Sequence, residues 1–303
     1  MSDQKSLRAL IFSGYGINCE KETAECFDRA GAICDIVHIN EIIEKVAKDK
    51  NYLFNYYIIA LPGGFSYGDH VGSGKILANK LRFKIGAPLK KFIDQGRALL
   101  GICNGFQVLT QAGILPGFQQ EKSENSNGEN SFPDKQVSLV SNISNHYEER
   151  WVNLIFNDRV DSFWTKGIKS LMLPIRHGEG RLIWSEQEDE EKMVSRAAFF
   201  YSDEKKNRAE NYPENPNGSF RSVAALVNEK GNVLGMMPHP EAFRWEMQAP
   251  NYYGSKVTGK KCLANSFTNI EGELASYLNE GDGYGMTFFY NACHAMREQF
   301  LKN

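Results

Sequence analysis

Leu99-Leu100-Gly101-Ile102-Cys103-Asn104-Gly105-Phe106-Gln107 is the stretch that decides how this chain folds. Two apolar residues lead in, as at the end of a buried strand. One glycine stands two residues before the cysteine and another two after it. This is the form of a nucleophile elbow, a sharp strand-to-helix turn that holds a reactive side chain in a strained position. At Gly101 and Gly105 a side chain would collide with neighbouring backbone. Asn104 to Ala112 reads as a helix, with Gly113 as its stop and Pro116 beyond. Its free N–H groups would point at the sulfur and favour the thiolate. A buried, inert cysteine in an ordinary turn fits the same run, since free cysteines are commonly buried.

Working outward, strands and helices alternate through the first third of the chain. Leu7–Ser13, Ala32–Ile39, Tyr56–Leu61 and Arg97–Ile102 read as strands. Glu20–Ala30, Glu41–Lys48 and Ala87–Gln95 carry helical periodicity, the first and last closed by Gly31 and Gly96. This order predicts an α/β fold with a mainly parallel sheet flanked by helices. Ligands sit at the carboxyl ends of strands in such sheets, where the turns at Gly14, Gly63 and Gly101 are expected. Further on, Val137–Val140, Trp151–Phe156, Leu171–Ile175 and Arg181–Trp184 predict additional β structure, and Val223–Asn228 with Asn232–Met237 a hairpin. Met286, Phe289, Tyr290, Cys293, Met296, Phe300 and Leu301 fall on helical spacing, a C-terminal helix facing either the core or a partner.

A second run carries chemistry: Val233-Leu234-Gly235-Met236-Met237-Pro238-His239-Pro240-Glu241. An apolar strand delivers a histidine, then a carboxylate two residues on. In extended chain those two positions face the same side. Glu241 can then hold the far nitrogen of His239, and His239 can serve Cys103 as base. That is a nucleophile, base and orienter set.

Pro62-Gly63-Gly64-Phe65-Ser66-Tyr67-Gly68-Asp69, the Cys103 run, His177-Gly178-Glu179-Gly180 and the His239 run occur in that order. Together they resemble the class I, or triad, glutamine amidotransferases. Within these they are most similar to the glutaminase subunits of phosphoribosylformylglycinamidine synthase, an enzyme of purine biosynthesis. The resemblance covers about residues 7–118 and 136–244. It implies a flavodoxin-like sheet with Cys103 as nucleophile, His239 as base and Glu241 as orienter. It places oxyanion donors on the backbone of Gly64 and Asn104. It implies a glutamine pocket that includes Gly63, Phe65, Gln107, His177 and Gly178. Three of these assignments have ordinary alternatives. Gly63-Gly64 also suits a plain tight turn, Gln107 could simply satisfy backbone groups, and His177-Gly178 could be a simple β-turn. The resemblance also implies a separate synthetase subunit that uses ATP and Mg²⁺ and receives the ammonia, with a small third subunit. A stand-alone thiol hydrolase or peptidase, another class I amidotransferase and a non-catalytic module on the same fold are the competing readings.

Composition sets the remaining bounds. The chain has 303 residues, 42% hydrophobic, with a formal charge of −2. A substantial core is possible, and nothing in the charge points to nucleic acid or an anionic membrane. No apolar stretch approaches the roughly 18 residues of a membrane span. Met1–Ser6 lacks the apolar region of a signal peptide. Six cysteines are scattered without zinc-ligand spacing, so neither a metal nor another cofactor is expected in this chain. A reduced, cytoplasmic setting fits them best. Gly68–Lys75 has the wrong spacing for a phosphate loop. Gly254–Lys261 ends in Lys261 where a Mg²⁺-binding hydroxyl should stand. The whole chain, 1–303, reads as one amidotransferase domain. An exposed polar loop is expected over 119–135 and insertions over 185–217 and 245–285.

Overall fold

The computed structural model describes residues 6–118, 132–184 and 190–302. Its elements, in chain order, begin with β1 (Arg8–Ser13), α1 (Glu20–Arg29), β2 (Ile33–His38), α2 (Ile39–Lys48) and β3 (Ile58–Leu61). α3 (Lys75–Lys84), α4 (Gly86–Asp94), β4 (Ala98–Ile102) and α5 (Asn104–Gln111) follow. Next come β5 (Val137–Val140), β6 (Glu148–Phe156), β7 (Ile168–His177), β8 (Arg181–Trp184), α6 (Glu190–Val194) and β9 (Ala197–Ser202). The last are β10 (Val223–Val227), β11 (Val233–Met236), α7 (Tyr252–Thr258), α8 (Leu263–Phe267), β12 (Asn269–Ile270) and α9 (Met286–Phe300).

One sheet of ten strands runs in the order β12-β7-β6-β9-β10-β11-β4-β3-β1-β2. From β2 through β1, β3 and β4 to β11 every pairing is parallel. From β11 to β12 every pairing is antiparallel. Strands β3 and β4 are buried along their whole length, as expected where helices cover both faces. The amphipathic helices do that covering. α1 turns Ala24, Cys26 and Phe27 inward, carries Glu20 and Glu22 in its first turn and Arg29 in its last. Both ends therefore complement the helix dipole. His38 caps α2, its Nδ1 accepting from the Asn40 N–H at 3.2 Å.

Four differences from the sequence reading stand out. Helix α3 is not among the predicted elements. Lys75, Lys80, Arg82 and Lys84 dilute its apolar signal, and only Leu77, Ala78 and Leu81 are buried. The stretch read as an insertion over 185–217 contains β9, which is buried throughout and pairs with both β6 and β10. Its short run Ala-Ala-Phe-Phe-Tyr is flanked by charged and Pro/Asn-rich sequence, which masks a central strand. The segment 245–285 holds α7, α8 and the edge strand β12, which extends the sheet beside β7. Gly101 lies within β4, so the turn comes two residues later, at Cys103.

Gly254 to Thr258 lies in α7, which excludes a phosphate loop there. Most of the loop expected over 119–135 lies outside the described residues. Helix α9 packs on this chain's own core, with Met286, Phe288, Phe289, Cys293 and Met296 buried. Among the described residues no helix is long and apolar enough to cross a membrane.

Candidate active site

Two neighbouring parallel strands deliver the site. β4 and β11 pair with Gly101 beside Gly235 and Ile102 beside Met236. Both chains leave the sheet at its carboxyl edge. The Cys103 N–H donates to the Met236 carbonyl at 2.7 Å, which ties the elbow to the strand that carries His239. Cys103 has φ +50° and ψ −105°, the strained backbone expected of an elbow. A Cβ on Gly101 would lie 2.7 Å from the Gly105 carbonyl oxygen, and one on Gly105 would strike the Leu61 carbonyl. Both glycines are therefore required by close packing. The thiol of Cys103 donates to the Arg176 carbonyl at 3.6 Å.

His239 is extended, with its N–H held by the Pro174 carbonyl at 2.8 Å. The chain then enters a short 3₁₀ turn, Pro240–Phe243. Here the structure corrects the expected backbone. Glu241 meets His239 through this turn, which Pro240 initiates, and not along one face of a strand. The pairing itself is as expected: His239 Nδ1 and Glu241 Oε1 are 2.6 Å apart, both residues almost fully buried. His239 Nε2 is buried with no hydrogen-bond partner. Burial works against a charged His239 ring. Glu241 and the thiols of Cys103 and Cys19 outweigh it and hold the pKa well above the ordinary value.

The glycine pair faces this dyad. A Cβ on Gly63 would stand 2.9 Å from His239 Cε1 and 3.5 Å from Cys103 Cβ. Gly64 has φ +147°, and Phe65 N–H to Gly16 O (2.7 Å) and Asn18 N–H to Gly63 O (3.2 Å) flank it. In that bridge geometry the Gly64 N–H points away from residue 17 and is free for a ligand. The Asn104 N–H lies in the first turn of α5, where no intrahelical acceptor exists. The Asn104 carboxamide locks the two loops together. It accepts from the Ser66 N–H at 3.2 Å and donates to Asp69 at 3.3 Å and Gln107 at 2.9 Å. Phe65 is exposed on the same loop.

Gln107 and His177, both expected at the glutamine pocket, are hydrogen-bonded within the protein. The Gln107 Nε2 donates to the Glu179 carbonyl at 2.6 Å, so both ends of its carboxamide are used by the protein. The His177 ring is buried, with Nδ1 3.1 Å from Asn142 Oδ1, and Gly180 passes so close that a Cβ would strike the ring. His177 thus props the Gly178–Gly180 turn from beneath. Burial, aided by the charge on His239, depresses its pKa to about 3. A free imidazole titrates near 6.5. Between those values the unfolded chain binds the extra proton, so stability falls as pH drops from about 6.5 towards about 3. His177→Gln is therefore expected to show a shallower loss of stability between about pH 7 and about pH 5. Urea midpoints at both pH values measure it, and equal slopes would assign the acid sensitivity to other groups.

Two residues at the site escape the sequence reading. Arg176 places Nη2 3.8 Å from Glu241 Oε1 and 3.5 Å from His239 Nδ1. Only its place before His177 at a strand end hinted at this. Cys19 follows the Gly14–Gly16 turn after β1, and its Sγ would be 3.4 Å from a Cβ on Gly63.

A strained thiol at a strand-to-helix turn, beside a carboxylate-oriented histidine just beyond the neighbouring strand, defines a thiol-nucleophile site of the kind shared by thiol hydrolases and triad amidotransferases, and the comparisons decide between them. The family model of the CobB/CobQ-like glutamine amidotransferase domain matches residues 6–271. The phosphoribosylformylglycinamidine synthase subunit PurQ of Methanococcus maripaludis is 42% identical over 276 residues, 90% of this chain and 96% of that protein. The subunit of the same name from Dehalococcoides mccartyi is 36% identical over 87% of this chain and 96% of its own. A chain in the solved structure of PurLQS from Thermotoga maritima aligns with a TM-score of 0.59 and 27% identity, over 84% of this chain and 99% of that one. The chain belongs to the PurQ family of glutamine amidotransferases.

Proposed function

We propose that this chain hydrolyses glutamine to glutamate and ammonia and passes the ammonia to a synthetase subunit of phosphoribosylformylglycinamidine synthase. The observation that carries this reading is the Cys103 elbow set beside the His239–Glu241 pair at 2.6 Å. Cys103 Sγ attacks the side-chain carbonyl carbon of glutamine, and His239 holds the thiol proton. The oxyanion is received by the Gly64 and Asn104 N–H groups. His239 returns the proton to the departing nitrogen, the C–N bond breaks and ammonia leaves. Water, deprotonated by His239, then cleaves the glutamyl thioester to glutamate and restores the thiol. Glu241 keeps the ring oriented and stabilises its charged form throughout.

Gly63 and Phe65 border the pocket, with Gln107, His177 and Gly178 shaping its wall from behind. On this reading ATP and Mg²⁺ act on the synthetase, which converts formylglycinamide ribonucleotide to the amidine, and a small third subunit completes the assembly. Residues 1–303 act as one domain, and a cytoplasmic location belongs to the same reading. Glu241→Gln should reduce hydrolysis less than His239→Ala, since Glu241 orients and does not carry the proton. The two changes should combine non-additively. Strict additivity in kcat/KM would separate the two residues.

The chain alone should be a poor glutaminase. Misplacing one oxyanion donor costs about 10²–10³ in rate. Gly64 rides on a loop that also contains positive-φ backbone at Tyr67, Gly68 and Asp69. A synthetase that binds the aligned form would shift the loop into place. Steady-state glutaminase rates with and without the synthetase and its ligands test this. Full activity in isolation, unchanged by the partner, would remove the coupling.

A further inference from the structure

Glu241 is a carboxylate shut away from water. Its side chain is 1% exposed, and Oε1 is taken up by His239 Nδ1 at 2.6 Å. Among the described residues Oε2 is buried with no hydrogen-bond partner. In the proposed cycle His239 alternates between charged and neutral forms. The charged ring balances Glu241. Beside the neutral ring, a buried carboxylate without a counter-charge would draw in a proton from solvent. Whichever of the two groups holds that proton, Nε2 then carries a hydrogen and cannot accept the one from the thiol.

Arg176 stands where a counter-charge is needed. It is one residue from the end of β7, with its side chain 37% exposed. Its main-chain carbonyl accepts from the Cys103 thiol at 3.6 Å, and its Nη2 lies 3.8 Å from Glu241 Oε1. Glu149 is directly opposite in the β6–β7 ladder, yet the guanidinium turns to Glu241. Nη2 is also 3.5 Å from His239 Nδ1. That nitrogen already donates to Glu241, so Arg176 acts on it by charge and not by a hydrogen bond. Arg244, the other cation near the carboxylate, is engaged elsewhere. Its Nε donates to Glu25 and its Nη1 to the main-chain carbonyl of Glu241. The remaining groups that face the pair are Cys19 after β1, Cys26 on α1, Cys103 at the elbow, Tyr147 before β6 and His177 on β7. None of these is a cation at neutral pH, since burial keeps His177 uncharged.

We infer that Arg176 is a positioning residue for the proposed glutamine hydrolysis, a role that rests on that reaction: its guanidinium is the standing counter-charge that keeps Glu241 ionised and leaves His239 Nε2 free to take the thiol proton. The same charge disfavours an added proton on the His239 ring and favours the Cys103 thiolate. Arg176 thereby extends the working range of the site towards lower pH. Its partial exposure lets solvent screen the charge, so the effect is moderate.

The pH dependence of kcat/KM for glutamine tests this, measured on the assembled complex with wild type, Arg176→Gln and Arg176→Lys. Loss of a half-exposed cation close to the pair should move the acidic limb of Arg176→Gln up by about 0.5–1 pH unit. Below the wild-type limb that variant should be about 3–10-fold slower. Arg176→Lys keeps the charge and should return the limb most of the way. KM should stay as in wild type, because the guanidinium lies on the Nδ1 side of the ring and not at the nucleophile. A raised KM with an unmoved limb would overturn the role and make Arg176 a substrate-binding group. A second readout needs no glutamine. Iodoacetamide alkylates the thiolate, and peptide mass spectrometry follows Cys103 alone as pH is varied on the full chain. The midpoint should rise in Arg176→Gln and in Arg176→Met, a second neutral variant should the first fold poorly, and return in Arg176→Lys. An unchanged midpoint in the neutral variants would overturn the role. A shifted midpoint in a chain that fails to hydrolyse glutamine even with its synthetase would instead count against the proposed reaction and leave the charge effect of Arg176 standing.

Discussion

Cys103→Ala is expected to abolish glutamine hydrolysis while leaving ammonia-dependent amidine formation by the assembled complex intact. Removing the nucleophile of a unit that acts through a covalent intermediate costs on the order of 10⁶ in kcat. Nothing nearby should substitute for it. Cys19 is close to His239, but burial raises its thiol pKa, only partly offset by the histidine. It also lacks the strained elbow backbone of Cys103, although it too caps a helix N-terminus, that of α1. Cys103→Ser should be nearly as inactive, since a hydroxyl is far less ionised than a thiol at neutral pH. The measurements are glutamate release with glutamine as donor and amidine formation with ammonium salts. Wild-type hydrolysis in Cys103→Ala would exclude Cys103 as nucleophile. Loss of the ammonium-supported reaction as well would mean the change had damaged assembly, and not only the chemistry.

Truncation before Gly285 is expected to unfold the protein or leave it insoluble. Helix α9 buries Met286, Phe288, Phe289 and Met296 in the core of this chain. At about 1.5–3 kcal/mol each, these four side chains contribute roughly 6–12 kcal/mol. A typical domain has only about 5–15 kcal/mol of net stability. The helix also reaches across the fold: Phe289 packs edge-on against Phe27 at 4.8 Å, and Arg297 donates to the carbonyls of Ala30 and Gly31 at 3.1 and 2.7 Å. A milder variant keeps the test quantitative. Phe289→Ala should cost about 3–5 kcal/mol, seen as a lower urea midpoint. A truncated chain that melts as the full one does would place the helix outside the folding unit.

Helix α9 also marks a limit of what the sequence could say. Its apolar spacing announced a buried face, but a face alone does not name what covers it. The surfaces that cover it include α1 and the turn at Phe163–Thr165, over a hundred residues away in the chain. The strand β9 was hidden for a related reason. Six buried residues between charged flanks give too short a pattern to separate a central strand from a surface excursion. Helix α3 carries little apolar signal because four of its residues are basic and only three positions are buried. By contrast, β1, β3, β4 and α5 were legible because strands covered on both faces read as continuous apolar runs. Glycine and cysteine at the elbow also have few other uses in that spacing.

The sequence by itself determined the elbow at Cys103, the alternation that makes the parallel half of the sheet, and the His239–Glu241 pair. These are local properties, written in periodicity and in residues whose backbone needs are narrow. Tertiary structure decided how the pair is made, through a 3₁₀ turn at Pro240 in place of an extended strand. It decided that Gln107 bonds to the Glu179 carbonyl and His177 to Asn142. It brought Arg176 to the carboxylate and a second thiol, Cys19, to the histidine. Those contacts join loops that leave separate strands of one sheet. Strand order sets such distances, and strand order is fixed by which apolar faces pack best together, a property of the whole chain that no short run of residues contains.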